Sequence, residues 1–453
     1  MHKTVILLPL DNRPCSYKYF RLICQTFDIP FSIFFSFDDL RRISRKENYY
    51  IISLDNILFG GIVNSRRLEF LVKKSNRTIM EDFLDFIENN QKSYFCIYVS
   101  VPRLLLNYMQ EIDKILSINN YFYHIFRPHQ EDLLNAYERC SHFSSSEENY
   151  IFNVRKEKLK IIDYFLSQVC SKKIKNIIDF LVVIDDSQFK GLNFLEASFL
   201  KKKYSKKIRN FYLMIGLDEI HLLILSKLIS REANIYFSSN TELSFKRPRY
   251  EGITVKELLK YYRKYLMIDF YRVENSVYHW KIFESKRQEE SVNQLEGFNS
   301  FDKFIKHFEA IPIYPIDSNT QFFVDLSYAN GASLEVLKFL LTNKEILLNL
   351  KSFWSWNTFA NSLGSSLSHF LIHRSINKFD REINTKLVLE NFLESIYQSI
   401  IRYFAKKFSW TNSEIQKAFK IILDHFEIRD FDIIKIDLPW ERYFEIDVEI
   451  RLK

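Results

Sequence analysis

The sequence predicts an α/β fold built from parallel sheets with helices on both faces. Short apolar runs rich in β-branched and aromatic residues recur along the 453-residue chain, and such runs are typical of strands that are buried on both faces. Amphipathic helical patterns separate them, as expected when crossover helices join parallel strands. We favour two Rossmann-like lobes, and a distorted (β/α)8 barrel is the alternative.

The elements follow one another in a regular order. The candidate strands are residues 4–10, 31–37, 49–55, 94–101, 179–186, 210–218, 234–239, 311–316 and 321–327. The candidate helices are residues 81–90, 102–116, 130–140, 191–203 and 255–266, the stretch 385–425 reads as further helix, and residues 433–452 read as a hairpin or a pair of strands. The predicted domains are an N-terminal lobe at 1–175 with a helical insertion, a second lobe at 176–375, and C-terminal helices with the hairpin at 376–453.

Composition narrows the class of protein. Hydrophobic residues make up 47% and charged residues 26%, as in an ordinary soluble globular protein. The net charge of +8 is small for this length, and the densest basic run, 201–209, is typical of a solvated helix face. We therefore expect no nucleic-acid partner. No apolar stretch approaches 18 residues, so no membrane span is expected.

The cysteines indicate the compartment. All five are scattered along the chain, and no two form a CxxC pair. This spacing argues against a disulfide framework and against a zinc knuckle. A reduced, cytoplasmic setting is the expectation.

Glycine is scarce, so the positions that keep it are informative. The chain has 8 glycines, whereas an average composition would give about 30. Six of them fall in segments that also hold clustered Asp, Asn, Arg or Trp, and two are adjacent, at Gly60 and Gly61. These segments are the candidate functional sites.

The first segment, LPLDNRP, follows the first strand. Its two prolines stiffen a turn that carries Asp11, Asn12 and Arg13. A carboxylate, an amide and a guanidinium at one strand end could bind a polar ligand. The alternative is a helix cap together with a buried Asp–Arg pair.

The second segment, SLDNILFGGIVNSRR, places Asp55 at a strand end. Gly60 and Gly61 either let backbone amides face a ligand or simply turn the chain. Arg66 could hold a carboxylate or a phosphate. The glycines match neither GxxxxGK nor GxGxxG, so they are no phosphate signature by themselves.

Two acidic pairs follow the next strands. Asp185 and Asp186 end one strand, before a Ser187 cap and the helix that carries Asn193, a candidate ligand contact. Adjacent carboxylates repel, and they persist where they bind a metal, accept hydrogen bonds or act as acid and base. Asp218 and Glu219 follow the next strand. His221 is nearby and is more typical of a structural residue than of a ligand.

Two later segments, VDLSYANGAS and FWSWNTFANSLGSS, combine aromatic rings with amides. That combination suits stacking and hydrogen bonding to a sugar, and the alternative is a buried Trp with satisfied caps. The candidate binding residues are Asp325, Tyr328, Asn330, Trp356, Asn357 and Asn361.

These segments together resemble DUF4127, a bacterial family of uncharacterised proteins. The resemblance rests on LPLDNRP, SLDNILFGGIVNSR, DDSQFKGLN..E, GLDE, DLSYANGAS and SWNTFANSLGSS, in that order, over about residues 5–366. The chain has Gly-Leu-Asp-Glu and Ser-Trp-Asn-Thr where the family pattern has Gly-Ala-Asp-Glu and Gly-Trp-Asn-Thr. The resemblance implies relatives and no reaction.

The first functional hypothesis is a hydrolase that acts on a small polar or carbohydrate-like substrate. The candidate acids, bases or nucleophiles are Asp11, Asp55, Asp185, Asp186, Asp218 and Glu219. In a second hypothesis the same carboxylates bind Mg²⁺ or Mn²⁺ for phosphoryl or C–O chemistry. In a third the protein binds a small ligand without turnover. The cofactor, either none or a divalent cation, and the oligomeric state are left open.

Overall fold

The computed structural model confirms the α/β class, with two parallel sheets and flanking helices. It describes residues 3–42, 47–103, 112–140, 143, 145–186, 191–239, 247–248, 250–273, 280–284 and 289–453. None of the helices in these ranges combines the length and the apolar character needed to cross a bilayer.

The strands are β1 Thr4–Leu8, β2 Phe31–Ile33, β3 Asn48–Ser53, β4 Tyr94–Val101, β5 Ile177–Ile184, β6 Phe211–Ile215, β7 Asn234–Ser239, β8 Asp269–Arg272, β9 Trp280–Phe283, β10 Phe322–Asp325, β11 Ser352–Trp354, β12 Phe431–Asp437 and β13 Asp447–Leu452.

The helices are α1 Lys18–Thr26, α2 Phe37–Leu40, α3 Leu54–Phe59, α4 Leu68–Leu71, α5 Ser75–Asn89, α6 Ile112–Phe126, α7 Leu133–Arg139, α8 Ser146–Ser171, α9 Leu192–Tyr204, α10 Ile220–Ile229, α11 Val255–Leu266, α12 Phe301–Ala310, α13 Leu334–Thr342, α14 Lys344–Asn349, α15 Phe359–Ser375, α16 Arg381–Ile396, α17 Arg402–Phe408 and α18 Asn412–His425. A π-helical turn, Tyr397–Ile401, joins α16 to α17.

The chain forms two compact units, and the first carries a six-stranded sheet. This unit consists of Met1–Asn12 and Ile29–Ile224. Its strands are all parallel, in the order β2-β1-β3-β4-β5-β6. In sheets with such an order, ligands bind beyond the carboxyl ends of the strands where the order reverses, which here is between β1 and β3.

The second unit consists of Arg13–Asp28 and Leu225–Lys453. Its five-stranded sheet is also parallel, in the order β11-β10-β9-β7-β8. Read from the other edge, it repeats the order of the first five strands of the first unit. The antiparallel hairpin of β12 and β13 belongs to this unit, and its apolar residues join a core with α13, α16 and α18.

The structure differs from the predicted elements in a few places. The predicted strand at 311–316 has no strand conformation, and three short strands, β8, β9 and β11, were not predicted. The predicted boundaries at 175 and 375 differ from those of the compact units, since β5 and β6 complete the first sheet. The hairpin predicted at 433–452 is confirmed.

Candidate functional site

Asp55 lies at the carboxyl end of β3, in the first turn of α3, and is fully buried. One of its carboxylate oxygens accepts a hydrogen bond from the Ser100 amide (2.7 Å), and the other accepts one from the Ser100 hydroxyl (3.1 Å). Lys158, on α8, forms an ion pair with the same carboxylate. Burial lowers the pKa of Lys158, although Asp55 opposes that shift. This set of contacts satisfies Asp55 inside the protein.

Gly60 and Gly61 end α3 and turn the chain. Their φ angles are +71° and +128°, which L-residues rarely adopt. The Gly60 amide donates to the Asn56 carbonyl (2.9 Å), and the Gly61 amide donates to the Asp55 carbonyl (3.2 Å). Of the two sequence interpretations, the turn fits these bonds. A Cβ on Gly61 would lie 3.1 Å from the Cβ of Asp11, so glycine lets the end of α3 approach the end of β1.

The acidic pair after β5 is held by two arginines. Arg66 forms an ion pair with Asp185, and Arg103 forms one with Asp186. The Arg103 amide also donates to Asp185 (3.4 Å). Asn193 donates to the Asp185 carbonyl (3.0 Å). Two of the predicted segments, the Arg66 loop and the Asp185–Asp186 pair, therefore meet at the carboxyl edge of the first sheet.

The two neighbouring carboxyls have opposite pKa shifts. Burial alone would raise the pKa of Asp185, but the guanidiniums of Arg66 and Arg103 bring it below its ordinary value. Burial raises the pKa of Asp186 to about 6 against the attraction of Arg103, and the charge of Asp185 adds to the increase. At neutral pH Asp185 holds its charge firmly, whereas Asp186 exchanges its proton close to neutrality.

Carboxylates from three strand ends influence Tyr98, which is buried on β4. Burial raises the pKa of Tyr98, and the charges of Asp11, Asp55 and Asp218 raise it further. These residues follow β1, β3 and β6 respectively. The predicted segments of the first unit therefore converge around the carboxyl end of its sheet.

The remaining predicted residues of the first unit have varied surroundings. Asn12 is exposed, Asp11 is 5% exposed and Glu219 is buried. Burial lowers the pKa of His221 to about 4 even though Asp218 opposes the shift, so this histidine is neutral at pH 7. The Ser187 cap lies outside the described residues.

Sequence reasoning missed a buried network beside this edge. Arg155, on α8, binds Glu196 through two nitrogens and donates to the Pro102 carbonyl (2.8 Å). Tyr137 donates to the same Glu196 (2.8 Å). Arg155 and Lys158 are three residues apart on the buried face of α8. Two cations at helical spacing on an apolar face are the signal that could have revealed them.

Arg13 belongs to the second unit and pairs with Glu445 (2.7 Å). Asp325 ends β10 and is buried, where it accepts hydrogen bonds from the amides of Ser327 (2.9 Å) and Ser333 (2.8 Å). Burial raises the pKa of Asp325 to about 6 in spite of these bonds. Asp325 thus organises the loop between β10 and α13.

Asn330 and Tyr328 lie in this loop, and both are buried. Asn330 donates to Glu290 (3.1 and 3.2 Å), which also pairs with Arg402 (3.1 Å) and accepts from the Tyr250 hydroxyl. Sequence reasoning missed Glu290, since no strand end or glycine marks it.

Trp356 lies beside Tyr19, with ring centroids 6.1 Å apart. The cavity next to it, shared with Glu394 and Gln398, has a volume of about 10 Å³, which is room for about one water molecule. Sugar binding at Trp356 would therefore require this cavity to open. The Asn361 side chain donates to the Asn357 side-chain oxygen (3.2 Å) at the start of α15, so the two amides satisfy each other inside the protein.

Lys18 forms a second buried charge cluster in the same unit. Its ammonium lies 3.1 Å from Glu390, 3.6 Å from Glu394 and 3.2 Å from Asp447. Burial raises the pKa of Glu394 to about 8 although Lys18 opposes the shift, and the neighbouring carboxylates add to it. Glu394 therefore keeps its proton at neutral pH.

Among the described residues, no group of three or more His, Cys, Asp or Glu side chains is arranged to hold a metal ion. A family model described as "Protein of unknown function (DUF4127)" matches residues 40–449. The match begins after LPLDNRP. No curated protein and no solved structure matched the chain.

Proposed function

The chain belongs to the DUF4127 family, whose function is unknown, and we propose that it is a hydrolase for a small polar or carbohydrate-like substrate, with its acid–base chemistry at the carboxyl edge of the first sheet. The observation that carries the proposal is the pair Asp185 and Asp186. Neighbouring carboxyls whose pKa values are displaced in opposite directions are what an enzyme needs in order to keep one charged and let the other transfer a proton.

In this proposal Asp186 is the proton donor and acceptor. A pKa of about 6 suits general acid catalysis near neutral pH. Asp185 stays ionised and stabilises positive charge that develops on the substrate. Arg66 and Arg103, which hold the two carboxylates in place, would also orient polar or anionic substrate groups. Asp11 and Asp218 supply further hydrogen-bond acceptors at the same edge.

Asp55 takes a positioning role in this proposal rather than the catalytic role the sequence suggested. Its oxygens are occupied by Ser100 and Lys158 and it is shielded from solvent. The sugar contacts expected at Trp356 and Asn357 lie in the second unit and stay predictions, as does the cytoplasmic location.

A ligand-binding protein without turnover is the second candidate. The observation that favours it is that both members of the acidic pair are already engaged by arginines. A ligand carboxylate or phosphate could take over those arginines without any bond being broken in the ligand.

The test combines thermal shift with turnover. Wild type, Asp186→Asn and the control Asp163→Asn, whose aspartate pairs with Lys203 instead, are screened against sugars, sugar phosphates and nucleotides, with and without Mg²⁺ or Mn²⁺. A ligand at a hundredfold excess over its Kd stabilises the native state by about 2.7 kcal/mol. The same compounds, as chromogenic glycosides and phosphate esters, are assayed for hydrolysis from pH 5 to 9.

We expect one compound class to be hydrolysed, with kcat/KM falling above about pH 6 as Asp186 loses its proton. Asp186→Asn should lower turnover by about 100-fold or more, and its residual rate should lack that limb, while Asp163→Asn should behave as wild type. Binding without turnover supports the second candidate. Turnover at the wild-type rate in Asp186→Asn contradicts the role of Asp186, and an absence of both binding and turnover for every compound class contradicts the hydrolase proposal.

A further inference from the structure

A groove in the second unit lies outside the functional site described above. It runs between α18 and β12 and has a volume of about 450 Å³, within the range of ordinary ligand sites. Leu423, Ile428 and Phe431 contribute apolar surface to it, and Ile433 lies at its side. This groove is large enough for several residues of an extended peptide.

The strand that borders the groove has an open edge. Within the described part of the chain, β12 pairs only with β13. The Ile450 amide donates to Glu390 (3.3 Å) and the Val448 carbonyl accepts from Lys18 (2.6 Å), so the backbone groups of these two residues point away from β12. In an antiparallel pair, opposite residues share the same orientation.

The partners of Ile450 and Val448 are Ile433 and Ile436. The backbone groups of Ile433 and Ile436 therefore point away from β13, toward the outer edge of β12. The Gln416 side chain, on α18, donates to the Ile433 carbonyl (3.3 Å). Both residues line the groove, which places the open edge of the strand along it. Such an edge is a template for another strand.

The charged residues of the groove indicate what kind of segment could bind at the open edge of β12. Lys417, Lys420, Arg429 and Lys453 line the groove, together with Asp424 and Asp432. Lys453 pairs with Asp432 (2.8 Å), and no ion pair of the other three cations is found among the described residues. The groove thus has an excess of positive charge beside an apolar floor.

We propose that the groove between α18 and β12 binds an extended acidic segment of a partner protein, which adds a strand to the open edge of β12. Main-chain hydrogen bonds to Ile433 replace the contact with Gln416, apolar side chains at alternate positions pack on Phe431 and Leu423, and acidic side chains meet the lysines of α18. This is the β-strand addition mode of peptide recognition. The bulge between Ile433 and Lys435 limits the added pairing to the first half of β12.

The test is a fluorescence-polarisation titration of the full chain with a labelled octapeptide of alternating valine and glutamate. One comparison peptide replaces glutamate with lysine. Two others carry N-methyl groups on alternate backbone amides, one on the odd-numbered amides and one on the even-numbered amides. The charge-reversal variant is Lys417→Glu/Lys420→Glu. Its matched control is Lys303→Glu/Lys306→Glu, an exposed pair with the same three-residue spacing on α12.

We expect the acidic peptide to bind and the lysine peptide not to bind. Charge reversal on α18 should weaken binding by about tenfold or more, the control on α12 should leave it unchanged, and N-methylation on the edge-facing side should abolish it. Equal binding to both double variants, or no binding at millimolar peptide, overturns the proposal. Undiminished binding of both N-methylated registers overturns strand addition.

Other occupants of the groove are tested in the same preparations. If sedimentation shows dimers of the wild-type chain but monomers of Lys417→Glu/Lys420→Glu, the groove is assigned to a second copy of the protein. Binding to vesicles with phosphatidylserine that is lost in that variant, with no peptide binding, would assign it to a lipid surface. Either result overturns the peptide proposal.

Discussion

The ion pair between Lys158 and Asp55 shows how one residue can matter without touching substrate. Both side chains are almost completely buried, so removing Lys158 leaves an uncompensated charge in the interior. We expect Lys158→Met to destabilise the first unit by about 3–5 kcal/mol. Asp55→Asn combined with Lys158→Met should recover part of that loss, because the stranded charge is gone.

Urea denaturation followed by circular dichroism measures this effect. Tryptophan fluorescence does not, because all five tryptophans lie at positions 280–440 and report only on the second unit. Lys156→Met, two residues earlier on α8 and partly exposed, is the control and should change little. A Lys158→Met protein as stable as the control would show that Asp55 is not held by this pair.

Glu394 makes the stability of the second unit depend on pH. It faces Lys18 and Tyr19 on α1, Glu390 on its own helix and Asp447 on β13. The folded protein keeps the Glu394 proton up to about pH 8, whereas an unfolded glutamate loses it above about pH 4.3. The unfolded state then binds fewer protons, so the free energy of unfolding falls as pH rises through this window.

The variant Glu394→Gln cannot ionise, so it should gain stability over wild type as pH rises from 5 to 9. At the alkaline end the difference should be on the order of a few kcal/mol. Urea midpoints from tryptophan fluorescence check this, with Glu382→Gln, exposed on the same helix, as control. Parallel pH curves for wild type and Glu394→Gln would contradict the assigned shift.

The sequence could predict single functional residues only where the interacting residues are close together along the chain. Asp185 and Asp186 were found because they are adjacent and follow an apolar run. Arg103 and Lys158 were not found, because their partners are 83 and 103 residues away along the chain and only folding brings them together. Asp55 was found, but its burial and its role as an acceptor for Ser100 depend on packing that a strand-end pattern does not contain.

The junction between α3 and β1 depends on one glycine. In Gly61→Ala the backbone would keep a φ of +128° and the new Cβ would lie 3.1 Å from the Cβ of Asp11. We expect a loss of about 1–3 kcal/mol and a displacement of Asp11. Gly60→Ala, with a φ of +71° and 3.7 Å of clearance from Asn64, should cost less, because the left-handed helical region is less unfavourable for an L-residue than a φ of +128° and no close contact is added.

Thermal melts by circular dichroism rank the two variants. Equal midpoints for both would mean that the contact with Asp11 carries no energetic weight. A Gly61→Ala protein that keeps full stability would show that glycine is not needed at position 61 for the end of α3 to approach the end of β1.

Among the strands, the ones predicted correctly are those with long apolar runs. The unpredicted strands β8, β9 and β11 have three or four residues each, which is too short for a clear period. The run at 311–316 has the composition of a strand, but it contains two prolines, and proline cannot donate to a sheet ladder.

The whole molecule repeats one strand order in two units, and the sequence predicts the parallel sheets but not the path of the chain between them. Residues 13–28 leave the first unit after β1, contribute α1 to the second unit, and return for β2. No compositional boundary marks this excursion, because α1 is an ordinary amphipathic helix whose buried Lys18 finds its carboxylates only in the fold.

The excursion predicts that residues 225–453 do not fold stably alone. Without α1 the carboxylates of Glu390, Glu394 and Asp447 lose their shared cation, and Tyr19 no longer covers Trp354 and Trp356. A synthetic peptide of residues 13–28 added to this fragment should restore a cooperative urea transition. The same peptide with Lys18→Ala should not. A fragment as stable as the second unit in the full chain would refute this dependence.

During synthesis, this path sets an order of events. The ribosome makes α1 before all the other helices and strands of the second unit, yet the residues that bind Lys18 include Asp447, 429 positions later. The first sheet can be completed once residue 215, the end of β6, has emerged. By contrast, Lys18 on α1 lacks its partner Asp447 until the hairpin of β12 and β13 has been translated. The nascent protein therefore exposes the apolar face of the amphipathic helix α1 until Asp447 has been made, and chaperones that bind apolar segments have that whole interval to act on it.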